Sequence, residues 1–312
     1  MNSEGALVAV WFVIERSLRM DVCRCYESLS ASAVGLSVHV YLPSPRMIAM
    51  TKRLCRADKL LLGGGVAMIG GAALFGPGVL GFGVPAGVLG LLLTDGIFRP
   101  SSGTLYPTTS RGPHDQPKVA LTFDDGPDPQ VTPILLDALA AAQARATFFT
   151  IGRYLARHAP IAERALREGH ELGSHSWQHD RLQNFYGVRA QAADIDRSVA
   201  LIRQISQDAK LPLYRPPIGL KSPSLARAAQ ERGMQMIAWS LHSHDTRLHD
   251  PQRIAERVLR KVRAGDIILM HDGHDREGHH RAATADALPL ILEGLAKRGL
   301  RSVTVSELLS AQ

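Results

Sequence analysis

The chain has 312 residues, 45% of them hydrophobic and 21% charged, with a formal net charge of +7, which suits one large folded domain or two ordinary ones. Lys and Arg are scattered along helical stretches rather than grouped with aromatics, so the charge argues against nucleic acid and supports only weak attraction to anionic lipid or acidic glycan. Cys23, Cys25 and Cys55 all precede residue 60, which excludes a disulfide framework and completes no closed metal site.

Residues 1–59 form an N-terminal region to which no function is assigned. Its start, "MNSEGALVAVWFVIERSLRM", is a poor signal peptide, because Glu4 stands where positive charge belongs. The region turns basic towards its end, with Arg46, Lys52, Arg53, Arg56 and Lys59. Met47 and Met50 directly precede that flank, as the start of a membrane anchor would, and translation is expected to begin at one of them. Residues 60–94 then carry no charged side chain. As one helix this run would be ~53 Å long against ~30 Å of hydrocarbon, so it is longer than one span and near two. Pro77 and Pro85, with their glycines, mark either a hairpin or the end of one helix. After a basic flank, a single span exports the C-terminal remainder of the chain and a hairpin retains it. The expectation is a membrane anchor with an extracytoplasmic C-terminal domain. Residues 95–116, rich in Pro, Ser, Thr and Gly, read as a linker.

From residue 117 to 312 the pattern is regular. Strand-like runs begin near Val119, Ala146, Glu171, Leu213, Met236, Ile267 and Ser302, with helices between most of them. Thr132-Pro133, Ser222-Pro223 and Asp250-Pro251 each pair a capping residue with proline at a first helical position. Seven strands alternating with helices predict a parallel α/β domain, a barrel or a doubly wound sheet.

In parallel barrels the working face lies at the C-terminal ends of the strands. There the sequence puts Asp124-Asp125 after the first strand, "SHSWQH" after the third, Arg215 after the fourth, Asp245 after the fifth and His271 after the sixth. His175 and His179 are four apart, one turn if that stretch is helical, so both imidazoles can face one metal. Two histidines and one carboxylate make a divalent site with open positions. The adjacent aspartates then divide the labour, one as ligand and one as proton acceptor.

These residues resemble the polysaccharide deacetylases with a NodB-homology domain, carbohydrate esterase family 4. The resemblance runs from about Pro117 to the C-terminus and rests on "TFDDGPDP", "HSWQH", "RPPIG" and "LMH". It implies a deformed (β/α)7-type barrel and metal-dependent hydrolysis of N-acetyl, or O-acetyl, groups on a glycan. By resemblance Asp125, His175 and His179 are the metal ligands, with zinc expected and cobalt or another divalent ion as alternatives. Asp124 is the general base, Arg215 orients it, and His271 is the general acid. The backbone of Ile218 serves the oxyanion, and Leu269 lines the acyl pocket.

One element departs from the family pattern. Where D-x-x-D-W is usual, the chain reads "WSLHSHDTR", so His242 replaces the first acid and Thr246 the tryptophan. Asp245 matches the second acid, and its pairing with Arg215 is retained as an expectation. Trp239 or Met270 could fill the space left by the smaller Thr246. His242, His244, His274, His279 and His280 are read as solvated loop histidines. The expected partners are an acetylated glycan or amino sugar and, through residues 60–94, a membrane; no protein partner is evident. A deacylase of a lipid-linked sugar or small amide, and a catalytically dead carbohydrate-binding module, are the competing readings.

Overall fold

The structure, a computed structural model, describes residues 26–33, 36–43, 54–205, 213–276 and 278–310. The two candidate start methionines, Met47 and Met50, and the basic residues Arg46, Lys52 and Arg53 lie outside them. Tyr26–Ala33 (β1) and Leu36–Pro43 (β2) pair as an antiparallel hairpin. They belong to a unit separate from Cys55–Gln312.

The larger unit begins with two apolar helices. Arg56–Phe75 (α1) is followed, after Gly76-Pro77-Gly78, by a π-helical turn at Val79–Gly83 and by Val84–Phe98 (α2). Each apolar stretch, Arg56–Phe75 and Val79–Phe98, is 20 residues long, about the ~30 Å of a bilayer core. The long uncharged run is thus a helical hairpin. The two apolar stretches touch backbone to backbone: a Cβ on Gly71 would stand 2.2 Å from the carbonyl oxygen of Gly81, a close approach that only small residues permit. At its foot Cys55 and Asp58 cap each other reciprocally, and Asp58 pairs with Arg227.

The remaining strands build one parallel sheet. They are Thr108–Thr109 (β3), Lys118–Asp124 (β4), Ala146–Thr150 (β5), Glu171–Ser174 (β6), Leu213–Tyr214 (β7), Gln235–Ile237 (β8), Leu241–His242 (β9), Ile267–His271 (β10) and Arg301–Ser302 (β11). Their order is β3-β8-β7-β6-β5-β4-β10-β9, with β11 alongside the start of β4. The outer helices include Thr132–Ala141 (α3), Gly152–Arg157 (α4), Ala159–Arg167 (α5), Val188–Ile205 (α6), Pro223–Glu231 (α7), Pro251–Lys261 (α8) and Ala282–Lys297 (α9). Ser222 and Asp250 cap α7 and α8 as expected. The side chain of Thr132 instead accepts from the Asp128 N–H, and α3 has no side-chain cap.

Two features differ from the expected seven strands. The run beginning near Met236 breaks at Ala238–Ser240. Its first half, β8, pairs with β7, and its second, β9, pairs with β10 at the far end of the sheet. Three residues therefore step across the gap between the two ends of the sheet and curl it into a barrel with one unpaired seam. In the segment read as a linker, Leu105 is fully buried and Thr108–Thr109 pairs with β8. Strands two residues long leave no alternation to read.

Side-chain alternation sorts the barrel. Along β4, Val119, Leu121 and Phe123 face the helices with Met270 of β10. Ala120, Phe149, Leu213, Ile237 and Ile267 pack together in a separate inner cluster. Above that floor, Thr122 and Asp124 share the inward face of β4, and Leu269 and His271 that of β10.

Candidate active site

Asp124 ends β4, buried, and its Oδ1 accepts a hydrogen bond from Nη1 of Arg215 at 2.7 Å. Arg215 is fully enclosed. Its guanidinium also donates to Thr122 Oγ1 at 2.8 Å, to the carbonyls of Ile237 and Ala238 at 3.3 and 3.2 Å, and stacks over Phe149. Burial pulls on the Arg215 pKa from below, but an arginine stays charged. Arg215 and Asp124 are thus in direct contact.

Asp125 follows with a left-handed backbone, φ 74°, and the Oδ2 of Asp124 lies 3.7 Å from His175 Nε2. Asp125 Oδ1 lies 3.6 Å from His175 Nε2 and 3.4 Å from His179 Nε2. One donor atom from each of the three residues falls within 4.8 Å of the others, and all three residues are buried. His175 to His179 is not a helical turn, as the four-residue spacing suggested. It is a loop in which Ser176 and His179 take positive φ, 67° and 55°, and the His179 N–H donates to Ser176 Oγ. The ring centroids still come within 4.9 Å.

The group fits a divalent cation on its chemistry. Asp125 Oδ1 is buried with no hydrogen-bond partner, a costly state for a carboxylate oxygen unless a cation sits against it. His175 Nδ1 lies 2.8 Å from the Arg215 carbonyl oxygen, so it carries the proton and leaves Nε2 as a bare donor. Burial, with His179 beside it, pushes the His175 imidazole down to about 3, which keeps it neutral.

On the neighbouring strand, level with Asp124, stands a second pair. His271 Nδ1 meets Asp245 Oδ1 at 2.9 Å, while Asp245 Oδ2 accepts from the His271 N–H at 2.7 Å and from Thr284 Oγ1 at 3.0 Å. Burial works against charge on both. Asp245 nevertheless overcomes it and lifts His271 to about 9, and His271 holds Asp245 down at about 2. The expected pairing of Asp245 with Arg215 is not formed. The register that sets His271 beside Asp124 carries Asp245 to the histidine side, and Arg215 is already spent on Asp124 and the seam.

Ile218 sits in the "RPPIG" loop with φ 49°, ψ 14° and a half-exposed side chain. Leu269 is buried two residues before His271 on the same face of β10. Trp239 stands on the seam, edge-on to His242 at 6.1 Å between centroids and against Gly219. Met270 belongs to the outer core and cannot stand in for a rim tryptophan.

A profile described as polysaccharide deacetylase matches residues 111–237. A peptidoglycan-N-acetylglucosamine deacetylase of Bacillus cereus is 37% identical over 199 residues, which cover 63% of this chain and 90% of that protein. The chain belongs to the polysaccharide deacetylase family. Within it, a chitooligosaccharide deacetylase of Sinorhizobium fredii is 32% identical over 200 residues, 62% of this chain and 92% of the relative. The crystal structure of a peptidoglycan N-acetylglucosamine deacetylase superposes with a TM-score of 0.61 at 28% identity, over 66% of this chain and 94% of that one.

Set on that family scaffold, the histidines of the departing motif have partners. His242 packs between Trp239 and His271, and burial pushes it down to about 4. Its Nδ1 accepts from the His244 N–H, and His244 Nε2 faces Arg257 at 2.8 Å. His280 pairs with Asp128, and His274 with Asp275. None of these joins the metal group.

Three polar residues, Asp272 and Lys221 buried and Asp275 half-buried, escaped the sequence reading. Asp275, whose carboxylate is held by Arg181, lies 4.0 Å from His179 Nδ1. Asp272 accepts from Thr132 Oγ1 under the Gly126 turn, and burial raises it to about 7. Lys221, 1% exposed, donates to the carbonyls of Arg99, Pro100 and Ser102. The run "MHDGHD" was a usable signal for the two acids; a lone lysine in a loop was none.

Proposed function

We propose that this chain is a metal-dependent deacetylase that hydrolyses N-acetyl groups on the amino sugars of a glycan. The observation that carries the reading is the three-donor group of Asp125, His175 and His179 beside an arginine-clamped carboxylate, Asp124, whose neighbour on the next strand is a carboxylate-clamped histidine. Zinc suits two imidazoles and one carboxylate best.

A divalent cation held by Asp125, His175 and His179 would supply Lewis acidity to the amide carbonyl and to a water, whose pKa it would lower towards ~7. Asp124 is the base that takes the proton of the attacking water, Oδ1 being pinned by Arg215 so that Oδ2 faces the reacting atoms. The loop at Ile218 brings main chain to the developing oxyanion. The amine leaves poorly as an anion, so it must be protonated as it departs. His271 supplies that proton from Nε2, because Asp245 holds Nδ1 and fixes the ring. Leu269 closes the acyl side, with Trp239 and Thr246 on the rim. Every position the chemistry requires is filled, which disfavours a dead binding module.

The catalytic unit is proposed to run from Lys118 to the C-terminus with β3 built into it, and residues 60–94 to be a membrane anchor. The expected extracytoplasmic placement belonged to a single span. A hairpin returns the chain to the side it entered from, and Arg56, Lys59 and Arg99 all stand at its foot. By the charge rule that side is cytoplasmic.

The test is acetate release from chitooligosaccharides and from peptidoglycan by the full chain, with and without a chelator. Release that is lost on chelation and restored by zinc is expected. No release from either glycan, with metal bound, would refute the reading.

A further inference from the structure

The hairpin and the catalytic site meet in a few residues. Phe98 ends α2, and Pro100, at most about 7 Å further along the chain, packs against the oxyanion loop. A Cβ on Gly219 would stand 2.7 Å from Pro100 Cγ and 2.7 Å from Trp239 Cη2. Lys221, two residues on, ties the same loop to the foot through the carbonyls of Arg99, Pro100 and Ser102, and its N–H donates to the carbonyl of Ile97. One layer of residues thus separates the end of the apolar helix from the residue serving the oxyanion.

The exposed apolar side chains point the same way. Among the described residues outside the hairpin, the large hydrophobics left exposed are Ile134, Leu182, Phe185, Tyr186, Ile218 and Leu290. Four of these six sit on two loops, the one that follows metal ligand His179 and the one that follows Arg215. Phe185 is 85% exposed and Leu182 60%. The first loop is bound to the hairpin side of the domain: Ser224, in the first turn of α7, donates to the Tyr186 carbonyl at 2.7 Å, and Arg227 of α7 pairs with Asp58 at the foot of α1. Leu, Phe, Tyr and Ile beside a membrane hairpin, with exposed Arg56, Lys59 and Arg99 around its foot, are what an anionic bilayer surface takes up.

We propose that the catalytic mouth opens onto the bilayer surface, and that its substrate is an N-acetylated amino sugar carried on a membrane lipid of that leaflet. This rests on the deacetylase reading and narrows it: the loops at Leu182–Tyr186 and at Ile218 dip into the interface, and the sugar reaches Asp124 and His271 while its lipid stays in the membrane.

The test uses the full chain reconstituted in vesicles of phosphatidylethanolamine and phosphatidylglycerol. Acetate release is followed from hexadecyl N-acetyl-β-glucosaminide, from polyprenyl-diphosphate N-acetylglucosamine and from soluble chitotetraose. One lipid-borne probe at least should be turned over with kcat/KM about tenfold or more above chitotetraose, since both partners share one surface. The faster lipid probe tells a diphosphate carrier from a plain glycolipid. The double variant Leu182→Ser/Phe185→Ser should lose about tenfold on the lipid probes and stay within about twofold on chitotetraose. Chitotetraose turned over as fast as both lipid probes, or a double variant that slows all three alike, overturns the proposal and leaves the deacetylase reading standing. A second measurement is independent of catalysis: Phe185→Trp should add fluorescence that lipids brominated near the headgroup quench. Added fluorescence that is not quenched overturns the proposal. Acetate from none of the three probes removes the deacetylase reading and, with it, the substrate class.

Discussion

Replacing Asp245 by asparagine removes a charge and keeps a shape. Oδ2 accepts from the His271 N–H and from Thr284, so the amide oxygen takes that position and the amide nitrogen turns to His271 Nδ1. The imidazole then stays where it is, with its proton on Nε2, but it has lost the anion that keeps it charged. Burial alone lowers a histidine, and Asp245 is the first of the groups that lift His271 from 6.5 to about 9. Loss of most of that lift is about two pH units, or ~3 kcal/mol between imidazolium and imidazole. At pH 7.5 the wild-type acid is almost wholly protonated and the variant roughly one-quarter so, and a neutral imidazole is a far weaker donor to a leaving amine. The assay is kcat/KM for acetate release between pH 6 and 10, with zinc content measured at each point. A bound cation displaces the alkaline limb of both proteins alike, so the difference between the limbs is what matters. It should be about two units, with the variant lower. An alkaline limb at the same pH in both proteins would refute the assignment of His271 as the acid poised by Asp245.

Asp124→Asn should keep its metal and lose roughly 10²–10⁴-fold in rate, whereas Asp125→Asn should lose the metal; elemental analysis showing the reverse would exchange the two roles. In the metal-free chain the Asp245–His271 pair contributes stability that is fully present between the unfolded values of 3.8 and 6.5 and is lost as the pH rises through about 9. The melting temperature of chelated protein should therefore fall from pH 6.5 to about 9, and a flat profile would contradict the pair. Lys221→Met takes the ammonium donor from the carbonyls of Arg99, Pro100 and Ser102, of which Arg99 keeps the Ser102 N–H, and should cost ~1–3 kcal/mol, with faster amide exchange at residues 99–105; unchanged exchange there would show that the foot does not depend on it. Thr246→Trp should sharpen selectivity for acetyl over propionyl by about tenfold, since apolar contact is worth ~25 cal/mol per Å². Equal selectivity in both proteins would mean that Trp239 already walls the pocket.

Much of the site was legible because it hangs on long, buried strands. Asp124 ends a seven-residue strand with Asp125 next to it, and His271 ends a five-residue one, so their place on the rim follows from periodicity alone. What was not legible depends on register and on short elements. Whether Asp245 meets Arg215 or His271 is decided by which end of the sheet β9 joins, and two residues of strand carry no signal of that. The His175–His179 loop succeeds through positive φ at Ser176 and His179, residue types that do not advertise it. The hairpin needed only Gly76-Pro77-Gly78 to be believed. The burial of Leu105 was masked by the Pro and Ser around it.

The seam of the barrel sets a limit on how this catalyst can change. Between β8 and β9 the staves are not hydrogen-bonded to each other, and the carbonyls of Ile237 and Ala238 turn inward to Arg215. One guanidinium thus serves as hoop and as holder of the base, using different nitrogens for each. Lysine has a single nitrogen and cannot span both. Any variation that retunes the base through Arg215 also loosens the cylinder, and any that tightens the seam without it frees the base. Selection, natural or in the laboratory, is left to adjust this enzyme at the acid pair and on the rim, where side chains carry one task each.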